Sequence, residues 1–100
     1  MSTDTVTLDR YVVDTLLRDF VGHDHRPSAF LVYLYLATRP ATGRHRRVTA
    51  SHADLAHYTG LSKSAVQLAV RNLKRRRFVR VERATPTATP VYEVLMPWRR

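Results

Sequence analysis

Side chains that can hydrogen-bond or carry positive charge recur at helical spacing between residues 62 and 76. At about 100° per residue, a helix here would have an apolar stripe on one side and five other residues opposite, which we call the outer row. The apolar stripe consists of Val66, Ala69, Val70 and Leu73; the outer row consists of Ser64, Gln67, Leu68, Arg71 and Arg75, flanked by Lys63, Asn72 and Lys74. Hydroxyl, amide and guanidinium groups presented together suit the edges of bases and phosphates.

Three members of the outer row have matching partners in duplex DNA. The Gln67 amide can form two hydrogen bonds with adenine, the Arg71 guanidinium can do so with guanine, and Leu68 can contact a thymine methyl group. The alternative is a solvated amphipathic helix whose charges only keep the protein soluble. A leucine on an otherwise polar face, in a helix that follows a tight turn and an N-cap, favours DNA contact.

The residues before this segment predict a second helix and the turn that joins the two. Ser51 and Asp54 have the spacing of a capping box, which starts a helix. Gly60 offers the left-handed backbone that ends a helix, and Ser62 is a good N-cap for the next one. Apolar residues on the inner side are expected to be Leu55, Ala56 and Tyr58, with Leu61 filling the angle between the helices. Two helices joined in this way form a helix-turn-helix, which places its second helix in the DNA major groove.

A β-hairpin is expected after the second helix. Residues 78–83 alternate in polarity, residues 91–95 form a second β-rich run, and the Thr- and Pro-rich segment 84–90 is a loop between them. Thr49, next to Val48, is expected to start a short strand that pairs with this hairpin and makes the sheet three-stranded.

With this hairpin, the segment from Val48 to Pro97 resembles the winged helix-turn-helix family of bacterial DNA-binding regulators. The residues that carry the resemblance are Ser51, Leu55, Ala56, Thr59 to Ser64, Val66, Leu73, Arg75, Arg76, Val79 and Val81. It covers about half the chain and implies an α+β fold with three to four helices and a two- or three-stranded wing. It also implies that the helix from Ser62 to Arg76 enters the major groove and that the wing tip lies along an adjacent minor groove or phosphate strand.

Two features depart from the family pattern. Many relatives carry glycine where this chain has Arg77, so this residue must adopt a left-handed conformation or leave the helix differently. The wing tip is uncharged between Arg83 and Pro90. Its DNA contacts are therefore expected to come from threonine hydroxyls, backbone N–H groups and Arg83.

Further cations lie in the loop 39–47, which contains proline and glycine. Arg44, Arg46 and Arg47 are expected to contact phosphates that flank the main site; the alternative is a solvated connector.

Composition agrees with a nucleic-acid partner. The 100 residues favour a single domain over 1–100, and 17 Lys and Arg against 8 Asp and Glu give a net charge of +9, which favours a polyanion. A membrane surface is the competing polyanion, but neither a spanning segment nor a secretory pattern is visible. We therefore expect a cytoplasmic, nucleoid-associated protein. Cysteine is absent, which removes disulfides and thiolate chemistry.

The N-terminal half is expected to be helical scaffold. Thr7 or Asp9 could cap a first helix that ends near Gly22, and Pro27 opens a second helix that continues to Thr38. The expected apolar side of the first helix consists of Val12, Val13, Leu16, Leu17 and Phe20. The second helix is apolar almost all round, so it is covered either by the rest of the chain or by a second copy in a homodimer.

Catalysis and cofactors find little support in the sequence. His52 and His57 are five residues apart, and His23 and His25 flank Asp24, so no pair has the spacing of metal ligands on one helix face. We expect no enzyme activity, no cofactor and no metal. The expected function is sequence-selective binding of double-stranded DNA by a homodimeric transcriptional regulator. The alternatives are the DNA-binding module of a plasmid or phage replication initiator and a winged-helix protein-protein adaptor.

Overall fold

The computed structural model describes residues 4–39 and 46–99. An N-terminal helix over 10–23 contains two π-helical stretches, Val12–Leu16 and Asp19–His23. It is followed by α1 (Pro27–Ala37), β1 (Arg47–Thr49), α2 (His52–Thr59), α3 (Lys63–Arg75), β2 (Val79–Glu82) and β3 (Val91–Val94). The expected α+β winged layout is confirmed, including the third strand before α2.

The N-terminal helix is wider than a regular α-helix. In its second π-helical stretch the Asp24 N–H donates to the carbonyl five residues back, on Asp19, at 2.9 Å. The wider turn brings every fourth residue onto the same side, so Val12, Leu16 and Phe20 are buried. The expectation that Val13 and Leu17 share this buried side is wrong, because they are 52% and 40% exposed.

α1 is covered mainly by the chain itself. Pro27 lies in its first turn, and its buried residues are Ala29, Phe30, Val32, Tyr33, Leu36 and Ala37. The N-terminal helix, α3 and β3 all pack against it. Coverage within one chain therefore accounts for most of the apolar surface of α1, and Leu31 remains 41% exposed.

The predicted caps and turn between α2 and α3 are confirmed. The Asp54 N–H donates to Ser51 Oγ at 3.0 Å, and the Ser51 N–H donates to the Asp54 carboxylate at 3.0 Å. Gly60 has a φ of 79°, and Ser62 Oγ accepts from the Ala65 N–H at 3.1 Å. The placement of Tyr58 on the inner side is wrong: it is 63% exposed and stacks on Tyr35, with ring centroids 5.5 Å apart.

α3 ends through the left-handed conformation at Arg77, whose φ is 61°. The Phe78 N–H donates to the Leu73 carbonyl at 2.9 Å, and the Arg77 N–H donates to the Lys74 carbonyl at 3.1 Å. These two bonds form a Schellman motif with arginine in the position that glycine usually takes. The chain can then reverse directly into β2.

The sheet is antiparallel with the order β1-β3-β2. Its buried side chains, Val48, Val79, Tyr92 and Val94, join the residues of the helices in one core cluster. No helix in the described ranges has both the length and the apolar character needed to cross a bilayer.

The two ends of the described chain meet beside α1. Asp9 was predicted as a helix cap, but its carboxylate instead accepts from Trp98 Nε1 at 2.8 Å and from Arg99 Nε at 2.6 Å. The Tyr11 and Trp98 rings stack with centroids 5.1 Å apart. The Asp9 carboxylate therefore holds the Arg99 guanidinium in place.

Candidate nucleic-acid interface

The orientation of α3 follows the predicted stripes. Val66, Ala69, Val70 and Leu73 are buried, while all five residues of the outer row are exposed, including 52% of Leu68. Asn72 was predicted on the flank of the outer row. That prediction is wrong, because Asn72 is buried, with 6% of its surface exposed. Its Oδ1 has no hydrogen-bond partner among the described residues. The outer row is therefore an exposed surface of α3, and the buried apolar stripe on the other side of the helix fixes its orientation.

Two adjoining grooves lie between α3 and the wing. The larger measures about 350 Å³ and is lined by His52, Gln67, Val70, Arg71, Lys74, Val81 and Arg83. The second measures about 300 Å³ and is lined by Ser51, His52, Ala53, Lys63, Gln67, Arg83, Thr87, Ala88, Thr89 and Pro90. No carboxylate of the described chain lines either groove, whereas four Lys and Arg residues do. Together they form a cationic channel beside the outer row, which suits a phosphate strand.

The channel brings together residues that are far apart in the sequence. Lys63 and Arg71 come from α3, and Arg83 comes from the wing. Arg83 Nη1 also donates to the Ala88 carbonyl at 3.1 Å, which closes the wing loop onto itself. Thr87, Ala88 and Thr89 of this loop line the same groove as Lys63.

His52 is a channel residue that the sequence interpretation missed. It is the first residue of α2 and lines both grooves. Partial burial lowers the pKa of His52 below its usual 6.5, and the positive charges of Arg83 and Lys63 lower it further. The sequence signal that could have identified His52 is its position directly after the Ser51 cap. The first turn of α2 faces the same groove as the first residue of α3.

The two described arginines at the end of the basic loop, Arg46 and Arg47, have different partners. Arg44 lies outside the described residues. Arg46 Nη1 donates to the Ala37 carbonyl at 3.5 Å, and Arg46 lines a different, small cavity of about 60 Å³ with Asp9 and Arg99. Arg47 is half exposed and pairs with Glu82 across the sheet, with Nη1 3.6 Å from Oε2.

Arg76 anchors the end of α3 to the N-terminal helix. Its guanidinium donates to Asp24 and, at 2.9 Å, to Asp19 Oδ2. Its central carbon lies over the rings of Phe20 and Phe78, 4.6 Å and 5.3 Å from their centroids. These contacts tie the C-terminal end of α3 to the N-terminal helix.

The same carboxylates lie close to His23. Ligand atoms of Asp19, His23 and Asp24 fall within 4.8 Å of one another, a spacing that a metal ion could use. Both carboxylates already bind the Arg76 guanidinium, so the cluster has a structural role.

Two helices at an angle, a tight glycine turn and a following β-hairpin define a winged helix-turn-helix protein. A family model described as "Helix-turn-helix domain" matches residues 26–79, a little over half of the chain. The chain belongs to this family, whose members typically bind DNA and are not enzymes. The match spans α1 to the start of β2 and leaves the N-terminal helix outside it. Neither a search of curated proteins nor one of solved structures finds a match.

Proposed function

We propose that the chain is a sequence-selective double-stranded DNA-binding protein that regulates transcription as a homodimer. The observation that carries this proposal is that all five residues of the outer row of α3 are exposed beside a channel lined by four Lys and Arg residues. A surface kept only for solubility does not need amide, leucine and guanidinium side chains next to a cation-lined channel. We further propose that residues 1–100 act as one domain.

In this proposal the outer row enters the major groove and the channel holds one phosphate strand. Gln67 and Arg71 donate to base edges, and Leu68 contacts a thymine methyl group. Lys63 and Ser62, at the start of α3, and Ser64 contact phosphate or base edges nearby, while Arg75 contacts the backbone further along. Arg83 approaches the same strand from the wing, and Arg44, Arg46 and Arg47 are proposed to contact flanking phosphates.

A two-fold homodimer would present two copies of α3 to the same side of the duplex. The preferred site is then an inverted repeat with half-sites about 34 Å apart, or a multiple of that spacing. A single half-site should bind much more weakly, because only one α3 could engage it.

The test begins with selection of bound sites from random duplex DNA, followed by binding measurements on the selected site. Gln67→Ala and Arg71→Ala should each cost about 1–3 kcal/mol of specific binding and relax preference at one base position. Leu68→Ala should lose less, and only at sites that carry thymine at the contacted position. Arg10→Ala removes an equal charge from an exposed residue of the N-terminal helix and is the matched control for Arg71→Ala.

Two results would contradict the proposal. Full specificity in both the Gln67 and Arg71 variants would remove the outer row from base recognition. A protein that binds no duplex even at low salt would instead favour the adaptor function. A reporter gene placed behind the selected site then separates transcription control from a role in replication, because only a regulator changes its expression.

A further inference from the structure

The four-residue repeat of the N-terminal helix sorts its side chains into separate stripes. The stripe of Val12, Leu16 and Phe20 is buried in the core. The adjacent stripe, which we call the VLV stripe, consists of Val13, Leu17 and Val21, and these are 52%, 40% and 40% exposed. The next stripe outward is polar and holds Asp14 and Arg18.

The VLV stripe is an apolar row two turns long on the protein surface. The other exposed large apolar residues of the described chain are not part of this four-residue repeat, and Leu68 among them has a place in the proposed DNA contact. Apolar side chains exposed singly are ordinary, whereas a continuous row of them marks a contact surface. The described residues of the chain itself leave this row uncovered.

The order of residues in the VLV stripe is symmetric about Leu17. A two-fold interface requires a surface that complements itself, so that residue i meets residue j and j meets i. We propose that a second copy of this chain covers the stripe in antiparallel orientation, with the two-fold axis at Leu17. Leu17 then meets its own counterpart, and Val13 meets Val21 of the partner subunit. This inference deepens the proposed homodimer and rests on that part of the proposed function.

The neighbouring charges fit the antiparallel orientation. When two helices pack antiparallel, stripes on the same side of the contact face each other, so the polar stripe of one copy lies against the polar stripe of the other. Asp14 of each copy then lies near Arg18 of the partner subunit, and the charges are complementary on both sides of the axis. Parallel packing would instead place Asp14 and Arg18 beside the buried stripe of the other copy, without an opposite charge.

The same helix connects this interface to α3. Asp19 and Phe20 hold the Arg76 guanidinium at the end of α3, and Phe20 lies next to Val21 of the VLV stripe. Pairing through the stripe therefore fixes the relative direction of the two copies of α3 through a single anchored contact in each copy.

Single cysteines give a direct test, because the natural chain has none. Under mild oxidation, Leu17→Cys should form a disulfide-linked dimer. Val13→Cys and Val21→Cys should not do so alone, because eight residues at ~1.5 Å per residue separate each from its counterpart. That distance is beyond the roughly 7 Å between Cα atoms that a disulfide spans. An equimolar mixture of Val13→Cys and Val21→Cys should form the mixed disulfide.

Crosslinking of Val13→Cys with itself would overturn the antiparallel orientation, and absence of a Leu17→Cys crosslink would overturn the interface.

Leu17→Glu should also abolish the dimer in sedimentation at micromolar concentration. Leu68→Glu, with the same change on the outer row, should leave sedimentation unchanged, and a dimer retained by Leu17→Glu would contradict the inference. None of these measurements uses DNA. A crosslinked dimer without DNA binding would therefore refute the proposed function alone, and a DNA-binding protein without the crosslink would refute this inference alone.

Discussion

His52 lies in the channel between α3 and the wing as an uncharged donor or acceptor at neutral pH. Burial and the neighbouring Arg83 and Lys63 all oppose its protonation, so its pKa lies below the usual 6.5. A phosphate in the channel would reverse the balance, because its negative charge stabilises the imidazolium and offsets the two cations. In the proposed complex, His52 would thus couple proton binding to phosphate binding.

The proposed DNA complex should therefore tighten as the pH falls toward the lowered pKa of His52. Binding measured by fluorescence anisotropy between pH 7.5 and 5.5 should show affinity rising toward acid in the natural protein. The His52→Gln variant should show a flatter profile, while His57→Gln, which changes an exposed histidine of α2, should keep the slope. Equal slopes for the natural protein and His52→Gln would exclude phosphate contact at His52.

The stability of the free protein should change in the opposite direction. Because the pKa of His52 is lowered on folding, the folded protein binds fewer protons here than the unfolded chain. This contribution to stability is complete above a pH of about 6.5 and is lost as the pH falls through the lower folded pKa. Chemical denaturation of the free protein should therefore show acid loss where DNA binding shows acid gain.

At the scale of an element, the end of α3 carries a conformational cost. Arg77 holds a left-handed conformation that disfavours a side chain with Cβ, and Arg76 directly before it is bound to Asp19 and Asp24. The Schellman bonds and the Arg76 contact together hold the chain in this turn. Local preference and tertiary contact oppose each other here, and tertiary contact prevails.

Arg77→Gly should stabilise the protein by about 1 kcal/mol, because glycine adopts the left-handed conformation without the steric cost. The matched control is Arg75→Gly, at the last residue of α3. This change should destabilise the protein by about 1 kcal/mol. Urea denaturation measures both. Destabilisation by Arg77→Gly would mean that the arginine side chain contributes more than its backbone costs.

The helix-turn-helix could be predicted from sequence because its determinants are local. The Ser51 and Asp54 cap, the Gly60 turn and the Ser62 cap each act over three or four residues. The buried side of the N-terminal helix could not be predicted in the same way. A period of 3.6 placed Val13 and Leu17 inside, whereas the π-helical backbone repeats nearer four and turns them outward.

Contacts between distant segments explain the remaining differences in the candidate site. The outer row was predicted because it follows from the phase of α3 alone. Asn72 is buried by elements that pack on α3, and His52 joins the channel only because the wing folds back beside α2. The spacing of apolar residues along one helix carries no information on how other elements pack against it.

At the scale of the whole molecule, Asp9 joins the segment before the N-terminal helix to the segment after β3. Its partners Trp98 and Arg99 are 89 and 90 residues away in sequence. The hydrogen bonds from Arg99 and Trp98 lower the pKa of Asp9 from 3.8 to about 2. The carboxylate is therefore more acidic in the folded protein, and this contribution to stability is present above pH 3.8 and lost as the pH falls toward 2.

Asp9→Asn should therefore be less stable than the natural protein near neutral pH, and the two should converge as the pH approaches 2. Arg99→Gln should show the same pH-dependent difference, because it removes the other half of the contact. The double variant should lose little more than either single variant. A difference that stays constant down to pH 2 would assign the Asp9 effect to packing rather than to its charge.

The net charge of +9 determines how the whole molecule should respond to salt. Duplex affinity should fall steeply with ionic strength, with a log–log slope of roughly −0.9 for each phosphate neutralised. Replacement of Arg44, Arg46 and Arg47 together by alanine should flatten this slope and leave sequence preference intact, because phosphate contacts carry no base information. Arg46→Ala alone should flatten the slope only slightly, since this guanidinium also donates to the Ala37 carbonyl. An unchanged slope in the triple variant would make the loop a solvated connector and leave the phosphate contacts to Lys63, Arg71 and Arg83 in the channel.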